Sequence, residues 1–168
     1  MPSLHIYNDS PAFSDRATNG RDMPAPLTRI GCTDGAAFDT AISGLWASGG
    51  RFDRIAIDTH GNSGAIYFGD DRIDACWWQR LASSAPSAIG TAGGHAYFSG
   101  CNVADTEKGW EFLTEAARLI FRGVTGRATG WTSSGIANPI NGHTLHFWGS
   151  ARTVFLREDG TVSERFEQ

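Results

Sequence analysis

The 168-residue sequence predicts an α/β fold: a mostly parallel sheet flanked by helices, ending in a C-terminal β-hairpin and forming a single domain over residues 1–168. Three observations predict it. Short apolar runs of strand type alternate with segments of helical period. Two of those runs deliver His60 and Cys101 into glycine-bearing segments. Asp159-Gly160, a hairpin-turn pair, separates Phe155-Leu156 from Val162.

In chain order, Leu4, Ile6 and Tyr7 form a short strand stopped by the turn cluster Asn8-Asp9-Ser10. From Pro11 to Gly35 no period is sustained, and the segment reads as a long surface loop. Phe38, Ala41, Ile42 and Leu45 follow helical spacing, with Asp34 as the N-cap and Gly49-Gly50 as the stop. Phe52 to Asp58 is a buried strand that runs into a glycine-rich loop from Thr59 to Gly64. Ala65 to Phe68 is a further short strand, and Ile73 to Leu81 reads as a helix in which Trp77 and Trp78 cannot both face one core. Gly90 to Gly94 is a flexible approach to the strand Ala96-Tyr97-Phe98. Trp110, Leu113, Ala116, Ala117 and Ile120 mark a helix ended by Gly123. Val124 to Thr132 reads as a strand, and Thr144 to Leu156 as a closing hairpin around Gly149-Ser150. Alternating strands and helices predict a sheet covered on both faces.

Hydrophobic residues make up 40% and charged residues 19%, a composition that can bury a core. A net charge of −4 and a pI near 5.7 give no general attraction to nucleic acid or an anionic membrane. Cys32, Cys76 and Cys101 are odd in number and contain no CxxC pair, which favours reduced thiols. The N-terminus lacks a signal-peptide pattern, and no run reaches the ~20 apolar residues needed to span a bilayer. The expected setting is cytoplasmic, with secretion by a non-classical route left open.

A cysteine attacks a carbonyl as its thiolate, and a nearby imidazole takes the thiol proton and returns one to the leaving group. Ligands on parallel sheets bind beyond the carboxyl ends of the strands, where His60 and Cys101 both fall. Backbone N–H groups of Gly61 and Cys101 are candidate donors to the developing oxyanion.

The segments IAIDTHGNSG and AYFSGCNVAD resemble the His-Gly and Gly-Cys motifs of caspase-like cysteine peptidases, the clan of caspases, gingipains, legumains and separases. They resemble still more the bacterial caspase-like domains of unassigned function found in large surface proteins. Those share an apolar strand, His-Gly, a glycine and short strand, then Gly-Cys-Asn-Val-Ala, a glycine and a helix. Here the later part is Gly100 to Ala104, then Gly109 and the helix from Trp110, and the likeness runs from Arg51 to Thr132. The resemblance implies that His60 is the base and Cys101 the nucleophile, with no metal or organic cofactor and no third acidic residue. No specificity-loop motif is recognisable.

Asp58 is either a carboxylate that orients His60 or a turn cap. Asp70, Asp71, Asp105 and Glu107 form either an acidic specificity pocket or a solvated rim. Trp131 and Ser133 follow a strand where related peptidases line a substrate pocket, and are the substrate-binding candidates. Gly61-Asn62-Ser63-Gly64 has the look of a trypsin-like serine motif, but Ser63 lies too early in the chain for that layout. Cys32 and Cys76 are read as structural. His5, His95, His143 and His146 are read as strand or edge residues; His143 and His146, three apart in a strand, would not chelate one metal, and no zinc site is expected.

The expectation is therefore a cysteine endopeptidase acting on a peptide or protein substrate, self-processing included. The alternatives are an inactive caspase-like interaction module, or a secreted effector or toxin with the same chemistry.

Overall fold

A computed structural model describes residues 1–10, 25–137, 144–146 and 148–168. The chain begins with β1 (Ser3–Asn8), β2 (Leu27–Cys32), α1 (Gly35–Ala47) and β3 (Phe52–Asp58). Next come β4 (His60–Asn62), β5 (Ala65–Phe68), β6 (Asp71–Asp74), α2 (Ala75–Ser84), β7 (Gly90–Phe98) and α3 (Thr106–Ile120). It ends with β8 (Gly126–Trp131), β9 (Gly135–Ala137), β10 (Thr144–His146), β11 (Ala151–Leu156) and β12 (Val162–Glu167). One seven-stranded sheet has the order β12-β11-β8-β7-β3-β1-β2. Its β2-β1-β3-β7-β8 part is parallel, and β11 and β12 are antiparallel additions. The fold is thus the mixed α/β, mostly parallel sheet that the sequence predicts.

Each helix starts where an aspartate supplies the missing acceptor for a first-turn N–H. Asp34 accepts from Ala37 at 2.7 Å, Asp74 from Trp77 at 3.2 Å, and Asp105 from Thr106 at 2.8 Å. Helix α1 then buries Phe38, Ile42 and Leu45, at i, i+4 and i+7. In α3 the buried stripe includes Phe112, Leu113, Ala116, Ala117 and Ile120, and beyond it Gly123 takes a left-handed turn at φ +74°.

Phe38 of α1 meets Trp78 of α2 edge-on at 5.5 Å between ring centroids, and Trp78 meets both Phe98 of β7 and Phe112 of α3 at 6.0 Å. One aromatic cluster therefore joins all three helices to the Phe98 side of the sheet. Tyr97, pointing the other way, is 40% exposed. Among the described residues the three helices lie on the Phe98 side, while on the Tyr97 side Ser3 and His5 of β1 are buried as well. The Tyr97 side carries a polar network: Arg127 Nε donates to His95 Nδ1 at 2.9 Å, His95 Nε2 lies 2.7 Å from Thr129 Oγ1, and that hydroxyl is 2.8 Å from Thr153 Oγ1. Burial, reinforced by Arg127 and Arg54, pushes the His95 pKa down to about 3.

Several local expectations change. The segment expected to be one long loop contains β2, an edge strand whose exposed Thr28 and Arg29 hide its strand character; the rest of it, 11–24, lies outside the described residues. The loop after β3 contains β4, paired antiparallel to β5, with β5 paired to β6 in a small separate sheet. Ile73 belongs to β6, so the helix begins only at Ala75, because Asp74 caps it. Gly90 to Gly94 is part of β7, not an approach to it. Thr144 to Leu156 is not one hairpin: β10 pairs with β9, whereas β11 pairs with β8 and β12. The β11–β12 hairpin at Asp159-Gly160 does form, with Asp159 accepting from the Thr161 N–H at 2.9 Å.

Candidate functional site

Strands β3 and β7 are parallel neighbours in which Ile57 is paired with Phe98. His60 and Cys101 each follow that pair by three residues, so both emerge at the same height on the carboxyl rim of the sheet. The chain turns from β3 into β4 at Thr59, whose buried hydroxyl donates to the Tyr67 carbonyl and accepts from Asn8 Nδ2 at 3.2 Å. That anchor leaves His60 exposed as the first residue of β4, opposite Tyr67 in the ladder.

The two motifs meet through their glycines. A Cβ on Gly61 would lie 2.7 Å from the Gly100 carbonyl carbon and 2.7 Å from the Cys101 carbonyl oxygen, and a Cβ on Gly100 would lie 2.9 Å from the Gly61 Cα. Only two residues without side chains permit this approach. Gly61, an expected oxyanion donor, is therefore packed directly against the Cys101 backbone.

The loop after Cys101 is held on three sides. Asn102, left-handed at φ +54°, donates its N–H to Ser133 O at 2.9 Å, and Ala104 N donates to Trp131 O at 3.0 Å. Gly64 N donates to Val103 O at 3.1 Å, and Ser63 Oγ donates to Asp105 O at 2.9 Å. Val103 and Ala104 are fully buried, and a Cβ on Gly109 of α3 would lie 2.1 Å from the Ala104 carbonyl carbon. Half-buried Cys101 projects from this frame, and its sulfur accepts the Gly135 N–H at 3.2 Å and lies 3.6 Å from the Gly135 carbonyl oxygen.

The remaining candidates take specific places. Trp131 and Ser133 lie beside the Cys101 loop and carry its backbone through their carbonyls. Ser63 ties β4 to the start of α3, where its hydroxyl lies 2.6 Å from Thr106 Oγ1. Asp58 accepts from Ser99 Oγ at 2.7 Å and stands 3.4 Å from His5 Nε2. Asp71 accepts the Gly35 N–H at 2.9 Å, and Asp105 caps α3, so these two serve helix starts and not a common acidic pocket. A groove of about 640 Å³ beside β4 is lined by Asn62, Ser63, Arg72, Thr106, Glu107 and Lys108.

Cys32 is buried, and burial aided by Asp34 pushes its thiol up to about 12, as suits a structural residue. Cys76 is exposed and is not the packed structural cysteine expected of it. His143 and the His146 side chain lie outside the described residues. Among the described residues no group of three His, Cys, Asp or Glu side chains could hold a metal ion, and no helix is long and apolar enough to cross a membrane. Sequence reasoning missed Gly135, Ser99 and His5. For Ser99 a signal existed: it precedes Cys101 by two residues, as Asp58 precedes His60.

The model of a family described as a domain of unknown function, DUF4347, matches residues 36–135, more than half of the chain. The match spans both the His60 and the Cys101 segments. No curated protein and no solved structure matches.

Proposed function

The chain belongs to the DUF4347 family, whose description assigns no chemistry, and from its site we propose that it is a cysteine endopeptidase of caspase-like type using a His60/Cys101 dyad. The observation that supports this reading is the β3/β7 register, which puts His60 and Cys101 at equal height on one rim, with Gly61 packed on Gly100 between them. In the proposed cycle His60 takes the Cys101 proton and the thiolate attacks the scissile carbonyl. The tetrahedral oxyanion takes hydrogen bonds from backbone N–H groups, with Gly61 and Cys101 the candidates, and His60 then protonates the leaving amine. Water hydrolyses the thioester with His60 again as base. Self-cleavage belongs to the same chemistry.

One observation favours a second reading, a caspase-like interaction module without turnover: the Gly135 backbone lies against the Cys101 sulfur on the side of β9. Incubating the protein with a peptide library, alongside His60→Ala, Cys101→Ala and the double variant, separates the two. A peptidase loses nearly all turnover in each single variant, and the double variant is scarcely worse, because the pair acts as a unit. Cleavage that survives His60→Ala would refute the assignment of the base, and absence of any cleavage by wild type would favour the module.

A further inference from the structure

Three adjacent parallel strands, β1, β3 and β7, end beneath the dyad, and a polar chain crosses them. Ser99, the first residue after β7, donates its hydroxyl to Asp58 Oδ1 at 2.7 Å, and Asp58 is the last residue of β3. The other carboxylate oxygen stands 3.4 Å from Nε2 of His5 on β1, a ring that is 1% exposed. The Asp58 side chain is itself only 13% exposed. A carboxylate withdrawn from water is costly unless compensated; the Ser99 hydroxyl compensates Oδ1, while His5 Nε2 stands beside the other oxygen without hydrogen-bonding to it, so the Ser99 bond is the one held closely in place.

The position of the bond matters more than its strength. Asp58 precedes His60 by two residues and Ser99 precedes Cys101 by two, so the bond ties together the strand ends that carry the base and the nucleophile. Backbone pairing reinforces it at the same level, since Ser99 N donates to Ile57 O at 3.1 Å. From this we infer that Asp58 and Ser99 are positioning residues: their hydrogen bond sets the height of Cys101 relative to His60, and His5 backs the carboxylate from β1. The inference rests on the dyad reading of the site and goes beyond it, because neither residue needs to touch substrate. Proton transfer and attack depend steeply on such alignment, and a displacement of about 1 Å can cost on the order of 100-fold in rate.

The test compares Ser99→Thr with Ser99→Val, which differ by a hydroxyl against a methyl, so that the bulk added at the strand end is the same in both. Two readouts are taken: kcat and KM on the best library peptide, and the rate of Cys101 alkylation by iodoacetamide, with exposed Cys76 as internal reference. The expected result is a kcat and a Cys101 labelling rate lower by about 10-fold or more in Ser99→Val, with KM and Cys76 labelling unchanged and Ser99→Thr near wild type. If Ser99→Val fails to fold, Ser99→Ala replaces it, with the same expectation. A rise in KM with kcat intact would overturn the proposal, because the pair would then bind substrate. So would Cys101 labelling equal in the Thr and Val variants. If wild type cleaves nothing, the peptidase reading fails, and the Cys101 labelling comparison alone decides the clamp.

Discussion

Gly61 and Gly100 touch backbone to backbone, with the ideal Cβ position of each within 2.9 Å of backbone atoms of the other. This contact adds to the side-chain packing that joins the small sheet to the main one, where Ile66, Phe68 and Ile73 are buried in the common core. It sets the His60 strand on the Cys101 loop.

Gly100→Ala should therefore destabilise the fold although the residue is small. The added methyl has only rigid backbone to meet, and overpacking of that kind costs ~1–3 kcal/mol. The melting temperature should fall by several degrees, read by circular dichroism. The Cys101 alkylation rate should change with it, because the β4 ladder must move away from the loop.

The three thiols should separate by reactivity. Cys32, buried and with its thiol pushed up to about 12, should resist iodoacetamide at neutral pH until the chain unfolds. Cys76 should react as an exposed thiol. Cys101 should react faster than Cys32, and His60→Ala should slow Cys101 without altering Cys76. Peptide mass spectrometry of timed samples measures all three. Equal rates at Cys101 with and without His60 would show that the imidazole does not act on the sulfur.

Much of this arrangement is legible in the sequence because strand ends and helix starts carry local signals. The apolar run Ile55-Ala56-Ile57 ends at Asp58, and Asp34 announces the helix that follows it. What local signals cannot carry is strand pairing. β4 is a strand only because His60 to Asn62 pair with Ala65 to Tyr67, and its own residues, including a glycine, have no strong strand preference. The part played by Gly135 is hidden for the same reason, since it lies 34 residues from Cys101 and reaches it only through the fold of β8 and β9. The side of the sheet on which the three described helices pack is equally invisible, because the alternation of elements is the same whichever face each helix covers.

Stability should decline in mild acid through His95. In the folded chain its Nδ1 accepts from Arg127, and its pKa lies at about 3 against an ordinary 6.5. Between those values the unfolded chain binds a proton that the folded chain does not, so unfolding becomes easier as pH falls from about 6.5 toward 3, and the contribution is fully present above 6.5. Denaturant titrations at pH 7, 5.5 and 4.5 should show the midpoint falling in wild type. His95→Gln should show a shallower fall over that range, because an amide binds no proton. Equal pH slopes in the two proteins would rule out His95 as the origin.

Cys101→Ala and Gly109→Ala should have opposite profiles, which separates chemistry from scaffold at this site. Cys101 is half-buried at the edge of its loop, and its sulfur touches only the Gly135 backbone among the hydrogen-bond partners described. Its truncation leaves little cavity, so the loss should be about 1 kcal/mol or less while any peptide cleavage disappears. Gly109 lies one turn into α3, where a methyl would stand 2.1 Å from the Ala104 carbonyl carbon and 2.3 Å from its oxygen. Because Ala104 is fully buried and its N–H is bonded to Trp131 O, the loop has no room to retreat. Gly109→Ala should push α3 off the loop, lower the melting temperature well below that of Cys101→Ala, and weaken cleavage only by displacing Cys101. Thermal melts of the two variants beside wild type measure the difference. A Cys101→Ala protein less stable than Gly109→Ala would mean that the thiol is held as a packing element of the loop and not as its reactive group.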